Sequence, residues 1–128
     1  MYFLIYDYLM NGTIDITKLV IEGIQNRKGK KITVVNLEDI DGAAANRFII
    51  CQGSSTMQVS AIADSIRETL QKEADIKPFN YDGYQNSQWI VIDYGDTFVH
   101  IFLPDTREFY NLEELWSDAA ITEIPDVD

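Results

Sequence analysis

The chain has 128 residues, of which 46% are hydrophobic and 24% are charged, and it carries a formal net charge of −11. This size and composition predict one globular domain with a single core. The negative charge argues against binding to bare nucleic acid or to anionic membranes and suits a partner with a basic patch, although acidity that only aids solubility would look the same. A single cysteine, Cys51, excludes an internal disulfide and fits a reducing cytoplasm.

Residues 1–12 predict an N-terminal extension that precedes the domain. The first ten, MYFLIYDYLM, are apolar and aromatic but lack the basic start and the cleavage site of a secretory signal. Met10 is a candidate alternative start, in which case the preceding residues are a disordered or mis-assigned extension. An added strand or a partner-binding arm is the other interpretation of this segment.

The first part of the domain predicts a helix followed by two strands. Apolar residues recur at helical spacing over residues 16–24, with Thr13 or Asp15 as the candidate N-cap. Residues 32–37 and 47–52 are apolar runs that are typical of strands, and the second run suits a strand that is buried on both faces.

Residues 89–102 (WIVIDYGDTFVHIF) predict a β-hairpin with a type II′ turn at Gly95-Asp96. This turn fixes the register, so that Trp89 pairs with Phe102 and side chains alternate between the two sheet faces. One face is then nearly all aliphatic, as expected of a core. The other face combines aromatic residues with one acid and the only histidine of the chain: Trp89, Val91, Asp93, Phe98, His100 and Phe102.

The remaining segments complete the predicted fold. Residues 77–81 predict a short strand, and residues 111–116 predict a short last helix. Residues 120–128 are acidic and aperiodic, which predicts a disordered tail. The order of elements predicts an α/β fold in one domain over residues 13–119, with two long helices and the short C-terminal helix on a mixed sheet of about five strands.

Asp93 and His100 are the first candidates for chemistry. In the predicted register they share one face at a diagonal separation of roughly 5–8 Å, which allows a general-base dyad. However, the sequence fixes no Ser, Cys or second acid beside them, so a structural pair in which His100 orients Asp93 is the simpler hypothesis. One histidine without a cysteine cluster falls short of a zinc site, and no metal or other cofactor is predicted.

The Gly53-Ser54-Ser55 turn joins a predicted strand to the second long helix, with Gln58 at capping-box spacing from Ser55. Free N–H groups at a helix N-terminus can bind an anion, and the turn is similar to the Gly-Ser turn of nucleotidyltransferases. Those enzymes also need a D-x-D acid pair on the next strand, whereas Asp93 and Asp96 have the wrong spacing. A plain helix cap is favoured, and a nucleotidyltransferase-like enzyme that acts around Ser54 and Asp93 is kept as the alternative function.

Three blocks of the sequence occur in the order and spacing of one known family. They are N-S-x-W-I-V-I-D-Y-G-D-x-x-V-H-I-F at residues 86–102, R-E-F-Y-N-L-E-E-L-W at residues 107–116, and F-I-I-C-Q-G-S-S at residues 48–55. Gln58-Val59, Ile62-Ala63-Asp64 and the Gly29-Lys30-Lys31 entry to the first strand also agree. On these blocks the chain resembles the ribosomal silencing factor family, also called the Iojap or RsfS family, over residues 16–119.

The resemblance implies a mixed α/β sheet related to nucleotidyltransferases but without their catalytic acids, and a protein that is not an enzyme. It also implies binding to the large ribosomal subunit through its protein number fourteen. The bound factor then sterically blocks subunit joining and represses translation when nutrients are short. An acidic protein suits a basic ribosomal protein as its partner rather than free nucleic acid or a membrane.

Steric blocking needs only an interface of ordinary size with a few aromatic anchors. We therefore expect apolar anchors and partner-facing acids in two places. One is the hairpin face that mixes aromatic and polar residues, called the mixed hairpin face, and the other is residues 107–116, called the C-terminal block. These partner-binding residues are Trp89, Asp93, Asp96, His100, Tyr110, Leu112, Glu113, Leu115 and Trp116. The sequence leaves the oligomeric state open, and exposed sheet surface is compatible with a homodimer off the ribosome.

Overall fold

The computed structural model describes residues 15–127, which form a mixed sheet of six strands with two helices packed on one face. The helices are α1 (Thr17–Asn26), α2 (Thr56–Ala74), α3 (Pro104–Tyr110) and α4 (Leu112–Leu115). The strands are β1 (Lys30–Asn36), β2 (Arg47–Gln52), β3 (Asn80–Asp82), β4 (Trp89–Asp93), β5 (Thr97–Phe102) and β6 (Ala120–Ile124). The predicted extension over residues 1–12 and the candidate cap Thr13 lie outside the described residues.

The strands follow the order β3-β4-β5-β2-β1-β6 across the sheet. The pair β2 and β5 is parallel, and every other neighbouring pair is antiparallel. This confirms the predicted α/β class, with parallel pairing in the middle of the sheet and an antiparallel hairpin. The sheet has one strand more than the predicted five.

The additional strand is β6, and the prediction of a disordered tail is wrong for Ala120–Ile124. This segment pairs with the outer edge of β1, with Asn36 opposite Ala120 and Ile32 opposite Ile124. Four of its five side chains are exposed, so the apolar alternation that would signal a strand is weak. The strand forms instead because it pairs with the free N–H and C=O groups along the edge of β1, which cannot be seen in the sequence of the tail.

The hairpin has the predicted register. Trp89 pairs with Phe102 and Asp93 with Phe98 across β4 and β5. The Tyr94 N–H donates to the Thr97 carbonyl oxygen at 2.9 Å, which closes the two-residue turn. Gly95 has a φ of +93°, a conformation that the first position of a type II′ turn needs and that glycine adopts without strain.

The aliphatic face of the hairpin belongs to the main core. Its buried residues contact α1 and α2 together with apolar side chains of β1 and β2. Cys51 is fully buried in this core, as expected for the apolar run over residues 47–52. The long helix α2 begins at the predicted cap, where the Ser55 hydroxyl oxygen accepts a hydrogen bond from the Gln58 N–H at 3.1 Å.

Candidate functional site

The sheet face opposite α1 and α2 carries a second, smaller apolar cluster. Phe102 and Ile50 are fully buried in it, and side chains of α4 and of the segment before β2 cover part of it. Leu112 and Trp116 pack against it and are half-buried. The mixed hairpin face is therefore covered at its centre and open at its border.

The aromatic rings on this face form a continuous series of contacts, in which Trp89 and His100 each contact three other rings. Its ring centroid lies 5.0 Å from Phe102, 4.7 Å from Tyr110 and 5.9 Å from His100. The Phe48 ring lies between His100 and Trp116, with its centroid 4.8 Å from that of His100 and 6.0 Å from that of Trp116. We call these six residues the aromatic cluster: Phe48, Trp89, His100, Phe102, Tyr110 and Trp116.

His100 is bound to Trp89 rather than to Asp93. The Trp89 indole N–H donates to His100 Nδ1 at 3.1 Å, and the imidazole is 5% exposed. This burial lowers the pKa of His100 from 6.5 to about 4, so the ring is neutral and accepts at Nδ1. The Asp93 carboxylate instead accepts from the Gly95 N–H at 2.7 Å.

The prediction that His100 orients Asp93 is therefore wrong, and the cause is local. Asp93 ends a strand, where the turn presents a free backbone N–H two residues later, and an aspartate readily accepts such a bond. Trp89 is the other diagonal neighbour of His100 across the hairpin and supplies a donor that needs a buried acceptor.

Exposed apolar side chains border the aromatic cluster on α3 and α4. Phe109 is 80% exposed, Tyr110 50% and Leu115 70%. The Phe109 and Tyr110 ring centroids are 5.0 Å apart, so the exposed row continues directly into the cluster through Tyr110 and Trp89. Exposed carboxylates at Glu108 and Glu114 accompany them. We call Glu108, Phe109, Tyr110, Glu114 and Leu115 the α3–α4 surface.

Arg107 holds this surface on the sheet, and sequence reasoning missed it. Its guanidinium donates to the Lys31 carbonyl oxygen at 2.7 Å, to Thr33 Oγ1 at 3.0 Å and to Gln52 Oε1 at 3.2 Å. It also donates twice to Glu113 Oε2, at 3.1 and 3.2 Å. The Glu113 carboxylate thus has an internal cation, which competes with its predicted role of meeting a cation of the partner. The sequence signal for this ion pair was the spacing of Arg107 and Glu113, which lie six residues apart in the block of residues 107–116.

The nine predicted partner-binding residues do not form one patch. Trp89, His100, Tyr110 and Trp116 belong to the aromatic cluster, and Leu112 packs beside them. Asp93 and Asp96 lie at the turn end of the hairpin, whereas α3 follows the opposite end of β5. Phe109, the most exposed aromatic residue of the C-terminal block, was absent from the predicted set.

The Gly53-Ser54-Ser55 turn is occupied by a side chain of the protein itself. Gln58 Oε1 accepts from the Ser54 N–H at 2.7 Å and from the Ser54 hydroxyl at 2.9 Å. Its amide nitrogen donates to the carbonyl oxygens of Arg27 and Lys28. The plain helix cap is thus what the structure shows at this turn.

Within residues 15–127, no group of three or more His, Cys, Asp or Glu side chains is placed to hold a metal ion. None of the helices there has the length and apolar character needed to cross a membrane.

Comparisons with known proteins agree on one family. The family model described as "Ribosomal silencing factor during starvation" matches residues 11–128. A protein named ribosomal silencing factor RsfS from Halalkalibacterium halodurans is 34% identical over 113 residues, which cover 88% of this chain and 95% of that protein. A Chromobacterium violaceum protein of known crystal structure is 35% identical in sequence to this chain. The two structures align with a TM-score of 0.75 over 80% of this chain and 83% of that one.

A more distant similarity is found to a mouse protein. That protein is named "Mitochondrial assembly of ribosomal large subunit protein 1", and it is 32% identical to this chain over 73 residues. The match covers 55% of this chain and 32% of the mouse protein.

Proposed function

Because the chain belongs to the ribosomal silencing factor family, we propose that it binds the large ribosomal subunit and sterically blocks subunit joining. The family name gives a role in translation regulation at the ribosome. We further propose that the chain contacts protein number fourteen of the large subunit. It would thereby repress translation in the cytoplasm when nutrients are short. The name of the mouse relative, which refers to the large subunit, supports the choice of subunit.

The observation that carries the proposal is the α3–α4 surface. Three apolar side chains there, Phe109, Tyr110 and Leu115, are at least half exposed, and Phe109 and Tyr110 continue into the partly buried aromatic cluster through Trp89. Exposed aromatic residues beside carboxylates are typical of a protein-binding surface. The net charge of −11 favours a basic partner and speeds encounter with it.

The structure changes the part that each predicted residue plays in this proposal. Trp89, Tyr110 and Leu115 are the proposed anchors, together with Phe109. His100, which is buried, and Leu112 and Trp116, which are half-buried like Trp89, pack beside these anchors. Asp93, Asp96 and Glu113 remain proposed contacts for cations of the partner, although Glu113 is shared with Arg107.

Two phenylalanines of equal exposure provide a matched test. Phe109 on α3 is 80% exposed, and Phe79, beside the hairpin turn at the other end of β5, is 81% exposed. Phe109→Ala removes a proposed anchor, whereas Phe79→Ala removes the same side chain from outside the α3–α4 surface. In co-sedimentation with purified large subunits we expect Phe109→Ala to weaken binding about ten-fold or more, since buried aromatic anchors dominate interfaces.

Phe79→Ala should weaken binding less than Phe109→Ala, because it removes no proposed anchor, although Phe79 lies beside the proposed contacts Asp93 and Asp96. Equal binding by both variants would contradict the assignment of the α3–α4 surface. The homodimer that the sequence leaves open is tested by sedimentation equilibrium of the protein without ribosomal subunits.

A further inference from the structure

A cleft of about 270 Å³ lies between α3 and the loop that precedes β4. Trp89 and Tyr110, whose ring centroids are 4.7 Å apart, line it. Asp82, at the end of β3, lines it together with Gln85 and Asn86 of the loop. The cleft therefore combines two aromatic rings and a carboxylate, and its lining contains no lysine or arginine.

The aromatic walls of the cleft are held in place before any partner arrives. The Trp89 indole N–H is bound to His100, so this donor is used inside the protein and the ring orientation is fixed. On the loop side, Gly83 has a φ of +101°, and a Cβ at this position would clash with the carbonyl oxygen of Trp89. The Ser87 N–H donates to the Gly83 carbonyl oxygen at 2.9 Å, which closes the loop on itself. A preformed cleft binds without the cost of ordering its walls.

Aromatic faces next to a carboxylate attract organic cations. A guanidinium group stacks on Trp and Tyr rings and donates hydrogen bonds to carboxylates, and it is more weakly hydrated than an ammonium group. The Asp82 side chain is exposed, with only Oδ1 engaged in a bond from the Gly83 N–H at 2.8 Å. The cleft also adjoins the α3–α4 surface, because Tyr110 belongs to both.

We infer that this cleft receives an arginine side chain of the basic partner, with the guanidinium on the Trp89 and Tyr110 rings and facing Asp82. The inference rests on the proposed function for the identity of the partner. It assigns a part in recognition to Asp82, which lies outside the blocks that suggested the family.

The chemistry of the cleft can be tested without ribosomes. The full chain is titrated with N-acetyl-arginine amide and, as the neutral control of nearly equal shape, N-acetyl-citrulline amide, while the two indole N–H signals are followed by NMR. The signal of Trp89 should move with the arginine compound and not with citrulline. Trp116, the other tryptophan, packs on Phe48 away from the cleft and serves as the internal reference. Equal movement with both compounds overturns the inference.

The contribution of Asp82 to partner binding is tested with two variants that each remove one aspartate charge. Asp82→Asn keeps an oxygen for the Gly83 N–H and removes only the charge. Asp75→Asn removes the same charge at the end of α2, at a left-handed position where asparagine is well tolerated. Asp82→Asn should weaken binding to large subunits about three-fold relative to Asp75→Asn, as expected for one partly exposed ion pair.

Equal binding by the two aspartate variants also overturns the inference. Failure of the proposed function looks different, because the wild-type protein itself would then not bind large subunits. In that case the comparison of arginine with citrulline still decides whether the cleft selects a guanidinium group.

Discussion

Acidification should destabilise the protein through His100. The folded state holds this imidazole neutral with a pKa of about 4, whereas the unfolded chain has the ordinary value of 6.5. Between these two values the unfolded state binds more protons than the folded state. The contribution of neutral His100 is therefore complete above pH 6.5 and is lost as the pH falls toward 4. The two pKa values give a loss of about 2 kcal/mol at pH 5 and about 3 kcal/mol at pH 4.

The assay is urea unfolding of the wild-type protein and of His100→Asn at about pH 7.5 and about pH 5. Asparagine can offer Oδ1 to the Trp89 indole N–H, but it does not titrate. The 21 Asp and Glu residues titrate in both proteins, so their contribution cancels in the comparison. We expect the wild-type protein to lose about 2 kcal/mol more than the variant between the two pH values.

Equal losses in the two proteins would refute the reasoning. They would mean that His100 is not held as a neutral acceptor in the aromatic cluster. A larger loss in the variant would point the same way, because only the histidine can gain a proton at this position.

Three further predictions follow from buried contacts. Arg107→Met leaves the half-buried Glu113 without its cation and should lower the free energy of unfolding in urea by about 2–3 kcal/mol. A decrease below about 0.5 kcal/mol would contradict the role given to Arg107. Gly83→Ala introduces a Cβ at a φ of +101° against the Trp89 carbonyl oxygen and should lower the Tm by several degrees, whereas an unchanged Tm would show that the loop can move aside. Burial raises the pKa of the Cys51 thiol to about 12, so a thiol reagent should label it only after unfolding, and fast labelling of the native protein would contradict its burial.

Local sequence signals predicted the hairpin and the start of α2. A glycine at the first turn position fixes the pairing of Trp89 with Phe102, and one serine hydroxyl caps α2. Each of these features depends on residues close together in the chain. Predictions of this kind need no knowledge of how the elements pack.

Features that depend on distant segments escaped prediction. The strand β6 exists because β1 offers a free edge, and its own side chains are mostly exposed. Arg107 reaches acceptors on β1 and β2 that lie 55 to 76 residues away in sequence. The cleft beside Trp89 likewise joins the end of β3, the start of β4 and α3. Only packing brings such residues together. The predicted set therefore contained Trp89, His100, Tyr110 and Trp116 of the aromatic cluster, but neither Phe109 nor the contacts of Arg107.

The most direct test of the central claim is subunit joining in the presence of the full chain. Purified large and small subunits are mixed with and without the protein, and the fraction of joined ribosomes is measured by sucrose-gradient sedimentation. The account predicts that the protein sediments with large subunits and not with small ones, and that adding it to large subunits first lowers the joined fraction. Undiminished joining while the protein is bound to large subunits, or no binding to large subunits, would contradict it.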